Sequence, residues 1–346
     1  MIPYLAAFAL PIILYPLRSR SRAAYVFLLS ALWALFAGMR LGIGGYDYAN
    51  YNDFYAGISG WQAGSKGYYE PLFKLTGIAA KAIGFHFHDF LAIVALLGIL
   101  PSVYVIDKRC EISAIGLFAY GMEWMLYASF VILRQGMAMG LALLAVDALF
   151  DKKRLRFILV IIVAGFFHSS AFVFLPLAFF QGELRPRLRN ALFVAAAALF
   201  LLIEGGRVVL DYGRFQGLAG RLLHYLAPAG YERLNPLNIV EIVGFWFLVL
   251  RYAADAPPLE RNMYFFYTCL AMVAQGHAVI IRFGYYYEFG LAFLLPRVAS
   301  SKKASGFERI LVSGIVMAYL LAKICRWLLR NAGGDGGFLP YRTIFG

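Results

Sequence analysis

The sequence is poor in charged residues and in cysteine. Asp, Glu, Lys and Arg make up only 15% of its 346 residues, whereas soluble domains carry roughly 25%. A soluble domain of ordinary proportions is therefore excluded. The three cysteines, Cys110, Cys269 and Cys325, are dispersed and form neither a CxxC pair nor a metal-ligand spacing. We expect all three to be structural.

Several catalytic and nucleotide-binding motifs are also absent. The sequence holds no P-loop, no HExxH and no DxD-like acidic pair. His86 and His88 stand two residues apart, a spacing that suits zinc poorly on a helix, and we expect Asp89 to cap the helix that follows. These absences argue against a nucleotide-driven pump and a metal-dependent cytoplasmic transferase. We predict neither a metal site nor a cofactor.

Long apolar runs dominate what is present. Hydrophobic residues make up 62% of the chain, and their runs are continuous rather than alternating, which excludes a barrel. The pattern predicts an all-α polytopic membrane protein, a single helical membrane domain over residues 1–346 with roughly 10–12 transmembrane or half-membrane helices. The clearest predicted spans are residues 2–17, 23–39, 89–106, 112–132, 136–150, 190–204, 237–252, 262–281, 284–299 and 307–325.

The positive charge predicts the topology. The net charge of +13 is not massed in a soluble basic patch, so we predict no nucleic-acid partner. The positive-inside rule places three basic connections, residues 18–22, 152–156 and 302–309, in the cytoplasm. Residues 40–88 and 205–236 then form outer loops, and both the N-terminus and the C-terminal tail lie outside.

Residues 157–180 are long enough for one span, but a single crossing would move the later basic residues outside. A hairpin of two half-helices that turns at His168 removes this conflict, and such broken helices occur where the backbone lines a cavity. We favour the hairpin, with one uninterrupted span as the alternative. The hairpin places His168 on the same side as Arg134.

Arg134 stands in an otherwise apolar stretch from Ile132 to Ala138. An arginine at the centre of a membrane helix costs about 2.5–3.5 kcal/mol unless something holds it. One interpretation is an arginine that extends to the membrane surface. The other is a phosphate clamp, since a guanidinium offers fork-shaped donors to phosphate oxygens. Gln135 follows it, and Gly136 and Gly140 predict a close helix contact.

Arg282 and His168 are two further candidates for the reaction site. Arg282 precedes a tyrosine cluster that includes Tyr286, and it is either an interfacial arginine or a second phosphate ligand. Two arginines on one side of the membrane would suit a diphosphate better than one. His168 is either a hydrogen-bonded packing residue or a general base, because its ordinary pKa lies near neutral pH.

The first outer loop suggests a sugar site. Asp47, Tyr51 and Tyr55 recur at helical spacing, so rings that stack on sugars lie beside a carboxylate that accepts from hydroxyls. Interfacial aromatic anchors are the alternative. Glu70 is either an acid near a helix start or an active-site carboxylate. Residues 71–84 are predicted to form an amphipathic helix at the outer interface. In the second outer loop, cations recur every seven residues at Arg207, Arg214 and Arg221.

Taken together, the short motifs resemble those of the EpsG family of bacterial polysaccharide polymerases, a branch of the Wzy-type polymerases. They occur in family order over most of the chain, and residues 181–260 carry none. The matching residues are Arg40, Gly45-Tyr46-Asp47, Tyr51, Glu70-Pro71-Leu72-Phe73, Leu133-Arg134-Gln135, Ala138, Ala164, Phe167-His168-Ser169-Ser170-Ala171, Arg282, Tyr286 and Pro340-Tyr341.

The resemblance implies a multi-pass enzyme of the bacterial inner membrane, with a fold like the membrane glycosyltransferases and O-antigen ligases. It would join undecaprenyl-diphosphate-linked oligosaccharide units on the periplasmic or outer face. Its partners would be that substrate and membrane lipid, with a chain-length regulator and a flippase as further candidates. Alternatives are an O-antigen ligase, a glycosyltransferase with a polyprenyl-phosphate-sugar donor, a flippase for lipid-linked sugar and, supported by His168 alone, an acyltransferase.

The predicted chemistry assigns a role to each candidate. Arg134 and Arg282 stabilise the diphosphate leaving group, with Arg40 next, and His168 is the first candidate base and Asp47 the second. The scheme requires the two arginines to share one pocket open to the exterior. The further substrate-binding candidates are Tyr51, Glu70, Gln135, Arg214, Arg221 and Tyr286.

Overall fold

A computed structural model describes residues 1–58, 69–209, 236–274, 278–334 and 336–345. These residues form α-helices joined by short connections, with one π-helix and one 3₁₀ helix and no β-strand among them. The all-α prediction is therefore confirmed. The chain divides into two compact units, residues 1–175 with 295–346 and residues 176–294.

The first unit contains most of the helices. Four helical segments of the described residues are long and apolar enough to cross a membrane, and they cover residues 2–20, 87–109, 133–150 and 306–330. The helices of this unit are α1 (Ile2–Ile13), α2 (Tyr15–Arg20), α3 (Arg22–Gly38), α4 (Tyr46–Gly57), α5 (Pro71–Ala82), α6 (Phe87–Arg109), α7 (Ser113–Tyr120), a π-helix (Gly121–Met125), α8 (Leu126–Phe130), α9 (Leu133–Phe150) and α10 (Arg154–Gly165).

Glycines let two helices at the centre of this unit touch through their backbones. A Cβ added at Gly140 on α9 would lie 2.2 Å from the carbonyl oxygen of Gly98 on α6, and one added at Gly98 would lie 2.8 Å from that of Gly136. Such close approach is possible only where the side chains are absent. The close helix contact predicted for Gly136 and Gly140 is confirmed.

Buried carboxylates join the helices at one end of the unit, which we call the basic end. Asp107 on α6 accepts from Arg18 and Arg22, each at 2.5 Å. On α9, Asp147 accepts from Lys108 at 2.8 Å and Arg109 at 2.5 Å. Arg109 also donates to Asp151, directly before the 152–156 connection, at 2.6 Å, so two of the predicted basic connections meet at this end. Ser300, two residues before the 302–309 connection, donates to Glu111, next to the end of α6, at 2.8 Å.

Residues 157–180 form two segments that fold back on each other. Helix α10 ends at Gly165, and a 3₁₀ helix runs from Ser169 to Phe179. The rings of Phe157 and Phe174 lie 6.0 Å apart, whereas in one straight helix they would lie about 25 Å apart. The chain therefore reverses near His168, which confirms the predicted hairpin.

Helix bounds differ from prediction in several places, and the predicted span 284–299 is divided between Glu288 and Gly290. Residues 112–132 were predicted as one span, but a π-helix interrupts them at Gly121–Met125. Its Glu123 accepts from Lys323 at 2.6 Å, an ion pair between apolar helices that the sequence did not indicate. The predicted span 262–281 is also wrong, since one helix ends at Val273 and the next begins at Ala278.

The described residues of the second unit contain four α-helices and the start of a fifth. Trp246 donates to Thr268 at 2.7 Å and joins two of these helices. Gly290 is the first residue of the fifth of these helices. A larger residue would not fit there, because its Cβ would lie 2.9 Å from the Tyr264 nitrogen. The helices are α11 (Pro186–Val209), α12 (Pro236–Tyr252), α13 (Pro258–Val273), α14 (Ala278–Glu288) and α15 (Gly290–Ala299), and α16 (Gly306–Arg330) follows in the first unit.

Candidate functional site

The end of the first unit opposite the basic end carries an ion pair between Arg134 and Glu70. Arg134 lies in the first turn of α9, about 20 Å along the helix from Asp147. Its Nη1 donates to Glu70 Oε2 at 2.6 Å, and the side chains are 26% and 6% exposed. The N-terminal end of a helix is itself positive, so a cation there requires a nearby anion. We call this region the Arg134 end.

Glu70 is oriented toward Arg134 rather than toward its own helix. It is the N-cap residue of α5, yet its side chain makes no capping hydrogen bond. Pro71, at the first helical position, has no backbone N–H. The start of this helix therefore has one fewer N–H group that needs a hydrogen-bond acceptor. The carboxylate is therefore held at the site by the arginine and by burial.

Two tyrosines complete the surroundings of the guanidinium. The Tyr69 ring lies 5.0 Å from the Arg134 guanidinium carbon, in the range of a cation–π contact. The Tyr51 hydroxyl interacts with the same guanidinium from α4; burial raises the pKa of Tyr51 to about 12, although the arginine opposes the shift. Tyr69 was missed in the sequence, where its position directly before Glu70 was the available signal.

A buried cluster of aromatic side chains packs against the helices that carry these residues. Tyr55, on the predicted polar face of α4, is buried and donates to the Phe85 carbonyl at 2.7 Å. The Tyr51 ring is buried too, so a sugar-stacking role for it stays a prediction and its hydroxyl is the group at the site. The cluster fixes α4 and α5 against α6 through Tyr51, Phe54, Tyr55, Phe73 and Phe90.

The hairpin brings His168 to the Arg134 end, as predicted. The Leu72 N–H donates to the Phe166 carbonyl at 3.0 Å, and Phe167 packs against the aromatic cluster. His168 Nδ1 accepts the backbone N–H of Ser170 at 3.2 Å and lies 2.7 Å from the Ser170 hydroxyl oxygen. Because Nδ1 is the acceptor, a neutral ring carries its proton on Nε2.

Arg40 is fully buried and bound to backbone carbonyls. Its Nε donates to Ile43 O at 2.8 Å, its Nη2 to Phe130 O at 3.1 Å and its Nη1 to Ala37 O. Burial lowers the pKa of Arg40 to about 10, so it stays charged at neutral pH. These bonds fix the first outer loop to α8, which favours a structural role. Its predicted contact with substrate stays a prediction.

The C-terminal tail packs on this same loop. The Leu41 N–H donates to the Arg342 carbonyl at 2.9 Å, and the N–H groups of Gly44 and Gly45 both donate to Gly336 O at 3.1 Å. Gly44 has a φ of +124°, and a Cβ there would lie 2.5 Å from the Phe130 carbonyl oxygen. The tail and the Arg40 loop therefore form one structure at the Arg134 end, in agreement with the predicted topology.

The remaining candidates are placed as follows. Gln135 is buried behind Arg134, and Asp47 lies half-buried in the first turn of α4. Arg282 and Tyr286 lie on α14 in the second unit, where Tyr286 is buried and Arg282 is partly exposed. Whether they approach Arg134 stays a prediction. Arg214 and Arg221 fall outside the described residues.

The arrangement is a guanidinium fixed by a carboxylate and two tyrosines, beside a histidine that presents a proton donor. It can bind an anion through the arginine and accept or donate protons through its neighbours. Within the described ranges, no group of three His, Cys, Asp or Glu side chains is placed to hold a metal ion.

Comparison with known proteins identifies the family. No curated protein and no solved structure matches the chain. The family description that matches is the EpsG family, over residues 23–343. This match covers nearly the whole chain, and it includes every motif of the resemblance described above. The chain is therefore a membrane protein that belongs to the EpsG family, a family of the polysaccharide-polymerase type.

Proposed function

We propose that the protein joins oligosaccharide repeat units carried on undecaprenyl diphosphate, at the outer face of the bacterial inner membrane. The growing chain leaves its lipid carrier and is transferred to a hydroxyl of the incoming lipid-linked unit. The observation that carries this proposal is the preorganised Arg134, a guanidinium held at the end of an apolar bundle and still 26% exposed.

Arg134 suits the leaving group of this reaction. When the bond to the sugar breaks, negative charge accumulates on the diphosphate, and donors fixed in advance stabilise that charge without reorganising. A guanidinium carries five N–H donors, so Arg134 can hold Glu70 and a phosphate oxygen together. The N-terminal end of α9 adds positive potential at the same place.

Two further residues assist in the proposal. Glu70 balances the charge of Arg134, so a second cation is needed for a diphosphate, and Arg282 stays the candidate that the sequence predicts for it. His168 presents the proton of Nε2, which can be donated to the leaving oxygen. The acceptor hydroxyl attacks the anomeric carbon directly, so the transfer proceeds with inversion.

The first prediction tests the clamp with Arg134→Lys. Lysine keeps the charge but loses the fork, so polymer formation should fall by at least about 100-fold. The assay uses purified protein in vesicles with lipid-diphosphate-linked repeat units, and products are separated by length. Arg261→Lys is the matched control, because Arg261 is also 26% exposed and paired with a glutamate, Glu183. Polymer of normal length and rate from the Arg134 variant would refute the clamp.

A further inference from the structure

The proposed transfer requires a base, because the attacking hydroxyl must lose its proton as the new bond forms. At the Arg134 end, the groups that could in principle accept it are His168, the hydroxyls of Tyr51 and Tyr69, and the carboxylates of Asp47, Asp53 and Glu70. Their hydrogen bonds and burial separate them.

The histidine and the two tyrosines are poor acceptors, and burial raises the pKa of Tyr69 above its ordinary value. The lone pair of His168 Nδ1 is directed at the Ser170 N–H, 3.2 Å away, and the other ring nitrogen carries the proton in the neutral form. Tyr51 has a pKa of about 12, raised by burial, so its phenol stays protonated and can only donate at neutral pH. The base is therefore a carboxylate.

The three carboxylates differ in how they are held, and Asp53 is exposed on α4. Asp47 lies in the first turn of α4, where it stabilises the helix through the helix dipole. Glu70 is buried, leaves its own helix uncapped and places Oε2 against Arg134. The described residues give its second oxygen, Oε1, no hydrogen bond. One oxygen is thus fixed by the residue that binds the leaving group, and Oε1 is the oxygen that can accept a proton.

We infer that Glu70 is the catalytic base of the transfer, an inference that rests on the function proposed above. The acceptor oxygen forms a bond to the anomeric carbon while the bond from that carbon to the diphosphate oxygen breaks. The electron pair of the broken bond leaves with the diphosphate, and the hydroxyl proton passes to Oε1 of Glu70. The step needs no further reactant. Arg134 then serves both partners, orienting the base and stabilising the leaving group.

The test compares Glu70→Gln with Glu123→Gln in vesicles. Glu123 is the matched control, because it is 7% exposed and accepts from Lys323 at 2.6 Å, as Glu70 is 6% exposed and accepts from Arg134 at 2.6 Å. Glu70→Gln should lower the polymerisation rate by at least about 100-fold and bind a radiolabelled lipid-linked unit within about twofold of wild type. Glu123→Gln should keep its rate once protein amounts are matched.

Three outcomes would overturn the inference. A wild-type rate in Glu70→Gln shows that the carboxylate is dispensable. Loss of donor binding equal to the loss of rate shows that Glu70 acts only by placing Arg134. If the fall in rate at low pH, the acidic limb of the rate–pH profile, persists in Glu70→Gln, the proton acceptor is another group. Asp47→Asn then tests whether that group is Asp47.

If Glu70→Gln does not insert into the membrane, a second variant tests the inference. Glu70→Asp keeps the carboxylate and moves it back by one methylene, so a lower rate with a displaced acidic limb supports the inference. A lower rate with an unchanged limb contradicts it. Failure of wild-type protein to form polymer from lipid-linked units would instead refute the proposed function, and this is measured before any Glu70 variant.

Discussion

Single residues show two ways in which this protein keeps a guanidinium among apolar helices. Arg40 is 0% exposed and donates to three backbone carbonyls. Arg134 is partly exposed and forms an ion pair with the Glu70 carboxylate. Hydrogen bonds to carbonyls, as at Arg40, hold a loop closed. A guanidinium in an ion pair, as at Arg134, carries further N–H donors that can bind a ligand. Only the second arrangement suits reversible binding.

The second prediction separates these roles with Arg40→Ala. The substitution leaves three carbonyls at a buried site without their donor, and each loss costs roughly 1–3 kcal/mol. We expect a lower melting temperature in detergent and less protein in the membrane. Arg134→Ala leaves the buried Glu70 without its partner and should also lose stability, so polymer is measured at equal amounts of inserted protein, where this variant should make none. A stable but inactive Arg40→Ala protein would support the substrate contact predicted from the sequence.

The third prediction concerns His168, which both caps a helix and presents a proton. Asparagine can accept the Ser170 N–H in place of Nδ1, since it is a favoured N-cap residue, but it has no counterpart of Nε2. His168→Asn should therefore keep its stability and lose about 10- to 100-fold in polymerisation rate. His168→Ala should lose both. If His168→Asn polymerises at the wild-type rate, the Nε2 proton has no part in the reaction.

How far the site was predictable also depends on the residue. Arg134 was identified because a cation in an apolar run is costly and therefore unusual. Its partner Glu70 was a candidate, but a sequence separation of 64 residues gives no indication that the two side chains meet. Tyr69 was missed for the same reason, because only the folded chain places its ring over the guanidinium.

At the scale of helices, the glycine contact between α6 and α9 fixes where Arg134 lies. Gly136 and Gly140 follow it within two turns of the same helix, and they set the depth at which α9 meets α6. A shift of this contact would move the guanidinium relative to α5 and Glu70. The packing of the two helices therefore determines the geometry of the site.

The fourth prediction is that Gly140→Ala destabilises the protein by roughly 1–3 kcal/mol, the usual cost of overpacking. The added Cβ would lie 2.2 Å from the Gly98 carbonyl oxygen, a backbone atom that cannot rotate away. Gly314→Ala on α16 is the control, since nothing lies within 4 Å of its Cβ position. Thermal unfolding in detergent measures both, and equal melting temperatures would argue against the close crossing.

The sequence predicted helices well where charge or periodicity constrained them. The hairpin at residues 157–180 followed from the positions of the later cations, and α5 followed from its amphipathic pattern. The π-helix at Gly121–Met125 was not predictable, because an extra residue in a helical turn leaves the apolar composition unchanged. The ion pair between Glu123 and Lys323 depends on that turn and was missed with it.

At the scale of the whole molecule, composition decided the fold class and loop charge decided the topology. A chain with 62% hydrophobic residues and few charges has to be covered by lipid. Within the first unit, the 18–22 and 152–156 connections lie at the basic end, and the described parts of the first outer loop and of the C-terminal tail lie at the Arg134 end. The placement of Arg282 relative to Arg134 was not derivable from charge, because it depends on the packing of distant helices.

The fifth prediction concerns orientation in the membrane. In a variant that lacks the three native cysteines, a cysteine at Asp53 should react with a membrane-impermeant thiol reagent added to the periplasmic side. A cysteine at Lys152 should react only after the membrane is opened, because it lies at the basic end next to Asp151. Both positions are exposed. The reverse labelling pattern would place the Arg134 end in the cytoplasm.

The contact between the tail and the Arg40 loop has a consequence for biosynthesis. The Tyr341 hydroxyl donates to the Phe36 carbonyl across 305 residues of sequence, so this junction joins an early part of the chain to a late one. While the ribosome is still translating the later helices, the loop lacks its tail. A nascent chain released before Tyr341 would form its hydrophobic helices without the tail that binds the Arg40 loop.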